Sequence, residues 1–129
     1  MRRIVYERPD GGVSIVSPTG NEDAAWIRLP EDAINPHWVD ESDIPTDRTF
    51  RNALLADLSH DISKAKLIAH EKRRIARTEE FAPLDIKATI PTEAVAAEAA
   101  RQSIRDKYKI MQIQIDAATS IDELKTRLP

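Results

Sequence analysis

Residues 2–17, RRIVYERPDGGVSIVS, fit little besides a β-hairpin. Arg3, Val5 and Glu7 alternate with Arg2, Ile4 and Tyr6, and past the turn Val13, Ile15 and Ser17 alternate with Ser14 and Val16. A two-residue period puts alternate side chains on opposite faces of a strand. Between the runs Pro9 fixes φ, Asp10 can bond its own backbone, and Gly11 and Gly12 accept positive φ. Two strands alone are marginal in water, so more are needed. The stretch NPHWVDESDIP supplies a third, centred on Trp38 and Val39, and AAWIRLPEDA holds a short strand or turn around Trp26 and Ile27. The expectation is a small antiparallel β module over residues 1–46, with a loop at 18–24.

Beyond residue 46 the period changes. Asp47 or Thr49 reads as a helix N-cap, with Pro45 upstream and Phe50 opening the helical pattern. Leu54, Leu58, Ile62, Ala65, Ile68, Lys72, Ile75 and Ala82 then recur at three- and four-residue steps, a thin apolar stripe. This predicts one helix from about 51 to 80, with a break near Ser59 and Asp61. Two prolines in APLDIKATIPT, residues 82–92, end it. Thr92 can cap a second helix, whose alanine-rich start AVAAEAARQ favours helix on propensity alone. In that helix Ile104, Tyr108, Met111, Ile115 and Ala118 step by 4, 3, 4 and 3, a heptad seam of about two repeats. Ile110 and Ile113 fall off the seam and widen the apolar face, so this half of the helix should contact more than one surface. Ser120 and Glu123 have capping-box spacing and start a last short helix, IDELKTRL. The predicted class is α+β: a small N-terminal antiparallel β module, then, over 47–129, a two-helix antiparallel hairpin and a short C-terminal helix.

Composition agrees with a helix-leaning chain: of 129 residues 41% are hydrophobic, 5% aromatic and 32% charged. There is no cysteine, which excludes disulfides, thiolate metal sites and cysteine nucleophiles. No apolar run approaches the roughly 18 residues of a membrane span. MRRIVYERPD lacks the apolar stretch of a secretory signal, so a cytosolic site of synthesis is expected. Residues 1–50 carry five Lys and Arg against ten Asp and Glu; residues 51–129 carry fourteen against twelve. Halves of opposite sign can attract each other or other copies. Neither is basic enough to make nucleic acid an expected partner.

Few residues suggest chemistry. On a helix, Asp57, His60 and Asp61 would share a face at spacing acceptable for a divalent metal, but a solvated face carrying a histidine is the commoner origin of such a pattern. His70 lies on a rotated face, and His37, between Pro36 and Trp38, reads as a loop packing residue. No serine sits in a nucleophile-elbow setting. Asp40, Glu41 and Asp43 form an acidic cluster, useful for acid–base work only where a cleft separates their pKa values. Three glycines do not make a phosphate-cradling loop. No catalytic residue, cofactor or metal is therefore expected. The basic run HEKRRIAR, residues 70–77, contains or adjoins Glu71, Glu79 and Glu80 and has no interleaved aromatic. It reads as a solvated or salt-bridged helix face before it reads as a phosphate-binding one.

The stretch DESDIPTDRTFRNALL, residues 40–55, reads first as a joint. Phe50 would plug the small sheet against the helix, and Arg48 and Arg51 would pair with the acidic DESD just upstream. Arginine and aromatic residues are also the types that anchor protein interfaces. Arg48, Phe50 and Arg51 are thus interface candidates, together with Ile104, Tyr108, Ile110, Met111, Ile113 and Ile115.

IVYERPDGGVSIVSP, VDESDIPTDRTFRNALL and the closing IDAATSIDELKTRLP together resemble small proteins encoded in tailed-bacteriophage genomes near virion and tail genes. Both ends of the chain and the central motif carry the resemblance; residues 60–100 add little. Many such proteins have an aromatic residue directly after RNA, where this chain has Leu54. The resemblance implies a structural or assembly-associated role and transfers no catalytic residue. The expected function is thus a non-enzymatic virion-associated tail component or adaptor, packed against other phage structural proteins or in a symmetric homo-oligomer, and found in virions and in host cytoplasm during assembly. The alternatives are a transient tail or fibre assembly chaperone and a nucleic-acid-binding regulator using residues 64–77.

Overall fold

A computed structural model describes all 129 residues and has the α+β architecture expected. The chain divides into two compact units, Met1–Asp61 and Ile62–Pro129.

In the first unit, strands Arg2–Glu7 (β1), Val13–Val16 (β2) and Ile34–Asp40 (β3) form an antiparallel sheet in the order β2-β1-β3. The expected turn closes the hairpin: the Gly11 amide donates to the Arg8 carbonyl at 3.0 Å and the Arg8 amide to the Gly12 carbonyl at 2.7 Å. Gly11 has a φ of 86°, and Asp10 Oδ1 accepts from the Gly12 amide at 2.8 Å. The third strand pairs with β1, setting Ile4 opposite Trp38 and Arg3 opposite Val39. Its register slips between Val5 and Glu7, where β3 bulges at Asn35 and Pro36. Asn35 takes a φ of 50°, a left-handed conformation that asparagine tolerates, and Pro36 has no amide to offer the ladder.

Both faces of the sheet are covered, and each cover corrects an expectation. On the Ile4 and Trp38 face lies a short helix, Glu22–Ile27 (α1), where a strand or turn was predicted. Asn21 caps it, accepting from the Asp23 and Ala24 amides, and Trp26 stacks on Trp38 with centroids 5.8 Å apart. Arg2 reaches Glu22 and lies over the Trp38 ring.

On the opposite face Val5 and Val13 cluster with Leu54, and Ile15, Val39 and Leu58 pack against them. The predicted helix from about 51 therefore does not begin there. Residues Arg51–Ala53 form one 3-10 turn, and Asp47 serves a local turn, accepting from the Thr49 amide at 2.9 Å and from its hydroxyl. A tight loop follows. The Asp61 amide donates to Ala53 at 2.8 Å and the Leu55 amide to Ser59 at 2.8 Å, while Leu58 adopts a φ of 68°. Leu54 and Leu58 keep helical spacing in the sequence, but the sheet's second face recruits them. Tertiary burial overrides the local period.

The second unit is an antiparallel helix pair with a short terminal helix. Ile62–Lys87 (α2) packs on Ala94–Ala117 (α3), and Ile121–Thr126 (α4) packs on α2. Three further corrections apply. The first helix runs through Pro83 to Lys87 and does not end near 80. Its buried residues are Ala65, Ala69 and Arg73, so the inner face is turned from the predicted stripe, and Ile75 is exposed. Glu93, not Thr92, occupies the N-cap position of α3, and it makes no side-chain cap bond.

The seam of α3 points inward as expected. Tyr108, Ile115 and Ala118 are buried, and Ile104 and Met111 are half-buried. Ser120 caps α4, accepting from the Glu123 amide at 3.1 Å. The reciprocal half of the box falls one residue early: Glu123 accepts from the Thr119 amide at 3.0 Å.

Candidate functional site

In the first unit the segment that follows β3 brings polar and apolar groups around one pocket. Asp40 ends the strand and accepts from the Ser42 amide at 2.9 Å, which starts a 3-10 turn over Glu41–Asp43. That bond holds the Asp40 carboxyl below the usual carboxylate range. Ile44, Pro45 and Thr46 then cross to the Asp47 turn, and Arg48 and Arg51 project beside them. The pocket they border is a half-open cleft with a volume of about 410 Å³.

The expected pairing of Arg48 and Arg51 with the DESD carboxylates does not occur. Glu41 is taken by Arg3. Arg51 reaches across to β2, and its Nη2 donates to the Val13 carbonyl at 3.0 Å. Burial, and then the nearby positive charges of Arg48 and Arg8, push the Arg51 guanidinium below its ordinary value. Phe50 is 1% exposed, so the ring belongs to the core and offers no free surface. Arg48 is exposed.

The metal spacing of Asp57, His60 and Asp61 depended on a helix that is absent. Asp57 accepts from the Ser59 hydroxyl and, at 3.0 Å, from the Ser59 amide. The His60 backbone bridges to Leu54, and Asp61 immediately precedes α2. No group of three metal-ligating side chains comes together anywhere in the chain. His37 is a strand residue, not a loop residue. Its Nδ1 lies 2.9 Å from the Asn35 carbonyl oxygen and its Nε2 3.1 Å from that of Ala56. The ring thereby ties β3 to the 54–60 loop.

In the second unit the interface candidates separate into two sets. Tyr108 and Ile115 are buried between the helices, with Ile104 and Met111 beside them. Burial is also the main reason the Tyr108 hydroxyl is pushed above its ordinary value, with the Glu80 carboxylate adding to it. Ile110 and Ile113 stand outside, 57% and 59% exposed. Three residues apart, they share one outward strip of α3.

The basic run carries less free charge than its sequence suggests. Arg73 is only 9% exposed, and its Nε donates to His70 Nδ1 at 3.3 Å. With Nδ1 accepting, His70 presents its Nε2 proton to Asp116 Oδ1 at 2.7 Å. Lys66 donates to the Asp116 carbonyl at 2.9 Å, so a polar network joins the start of α2 to the end of α3. Arg74 pairs with Glu71, and Arg77 lies over the Phe81 ring. Lys66, His70 and Arg73 share one face of α2, but their partner Asp116 lies 46 residues from His70 in sequence, so no local pattern signals the network.

Comparison with protein-family models, with curated proteins and with solved structures finds no match. No helix is long and apolar enough to cross a membrane.

Proposed function

We propose that this chain is a non-enzymatic structural protein of a tailed-phage particle, a tail component or adaptor that works by packing against other proteins. The observation that carries the packing role is the outward pair Ile110 and Ile113 on a helix whose opposite face is already filled by Tyr108 and Ile115. Burying a large aliphatic side chain is worth about 1.5–3 kcal/mol, so two of them on one strip favour a covering partner. Leu67 and Ile75 on α2 add exposed apolar area to the same unit. The phage setting rests on the resemblance carried by residues 40–55 and by both ends of the chain.

Mass spectrometry of purified particles tests this reading. A structural component is expected at constant copy number in mature virions, and absence from them overturns the proposal. A protein found only in infected-cell lysate, bound to an unassembled tail or fibre protein, would be an assembly chaperone instead.

A further inference from the structure

We propose that the pocket beside residues 44–51 binds a small organic carboxylate: one carboxylate group on a short apolar stem. This goes beyond the assembly role, since no helical face of the second unit takes part. At about 410 Å³ the pocket is of small-ligand size, and every residue lining it belongs to the first unit.

The lining sets three arginines, Arg3, Arg48 and Arg51, against two carboxylates, Glu41 and Asp47, and Arg3 already holds Glu41. The ion pairs of this unit are Arg2 with Glu22, Arg3 with Glu41 and Arg8 with Asp10; Arg48 and Arg51 are in none of them. Arg51 spends Nη2 on the Val13 carbonyl, which anchors the guanidinium and leaves its other N–H groups for a ligand. Burial and two neighbouring arginines already disfavour that cation, so a bound anion would offset part of that repulsion. A guanidinium presents parallel donors that match the two oxygens of a carboxylate.

The rest of the lining selects among anions. Ile15, Ile44, Pro45 and Leu54 make an apolar wall suited to a hydrocarbon stem. Glu41 and Asp47 also border the pocket, and their charges repel a second negative charge. Inorganic phosphate has no apolar stem and carries more charge, so it fits poorly.

The test is an NMR titration of the full chain with hexanoate, hexanamide, inorganic phosphate and an acetylated tripeptide with a free terminal carboxylate. Hexanoate is expected to give saturable shifts confined to the residues around the pocket, Arg3, 13–17, 41–54 and His60, and to the Arg51 side chain. Hexanamide should give none, and phosphate should bind at least about tenfold more weakly. Arg48→Gln should weaken hexanoate about tenfold, the cost of one charge-assisted hydrogen bond. Arg51→Lys keeps the charge, loses the fork and should weaken it similarly; the near-ultraviolet signal of the Trp26–Trp38 stack reports whether the unit remains folded. If that variant unfolds, Arg48→Gln at its exposed position carries the test. Saturation by the peptide as well as hexanoate supports the site and points to a protein terminus as the source; saturation by hexanoate alone supports it and points to a free small molecule. No saturable shift, equal binding of hexanamide or phosphate, or unchanged affinity in the folded variants overturns the proposal.

Discussion

Lys107 on α3 donates a 2.7 Å hydrogen bond to Glu80 on α2. This bond is the main cause that holds the Glu80 carboxyl below its ordinary 4.5 and the Lys107 ammonium above its ordinary 10.5. A lowered carboxylate contributes stability above its unfolded pKa and loses it as pH falls through the folded one. A raised ammonium contributes below its unfolded pKa and loses it as pH rises through the folded one. The pair is therefore fully effective between those two ordinary values. Denaturant unfolding followed by helical circular dichroism should show stability falling on both the acid and the alkaline side. Glu80→Gln should lower neutral stability slightly, because both side chains are partly solvated, and flatten the acid limb by the same small amount. An identical acid limb in the variant would show that other carboxylates set it.

Phe50 is one of the largest fully buried side chains in the chain. Phe50→Ala is expected to destabilise by about 3–5 kcal/mol through lost transfer energy and the cavity left behind. Both tryptophans, Trp26 and Trp38, lie in the first unit, so fluorescence-detected unfolding reports on that unit. A loss under about 1 kcal/mol would mean the ring is not the core residue it appears by its burial.

Ser120→Ala removes the oxygen that accepts from the Glu123 amide. The expected cost is about 1 kcal/mol of stability in the second unit, with amide exchange speeding up at residues 121–124. Hydrogen exchange of the two forms checks it; equal protection there would assign the end of the chain's order to Leu124 burial alone.

Ile110→Gln with Ile113→Gln keeps helix propensity and removes only exposed apolar surface. Thermal unfolding should shift little, whereas association with a second copy or with a particle protein should weaken at least about tenfold. Light scattering and particle incorporation measure the two. Unchanged association would remove these isoleucines from the interface.

What could be read in advance follows how local each cause is. The hairpin and the Ser120 cap depend on neighbours in sequence, and both are in place. The inward seam through Tyr108 and Ile115 is also visible, since a helix carries its own period. The 47–61 segment was unreadable because Leu54 and Leu58 answer to Val5 and Val13, far earlier in the sequence. The inner face of α2 was hidden for another reason. It is built from Ala65, Ala69 and Arg73, whose types signal little hydrophobicity, while the larger Leu67 and Ile75 are left exposed. The expected pairing of Arg48 and Arg51 with DESD fails because proximity in sequence does not become contact: Glu41 turns to Arg3 and Arg51 turns to Val13.

The kink at Asn35 and Pro36 makes the outer margin of β3 a poor template, because an incoming chain would meet a bent ladder missing one donor. The opposite margin, β2, offers only four residues. Fibril-like growth by strand addition is thereby blunted on both sides, and concentrated assemblies of this molecule should stay free of cross-β order.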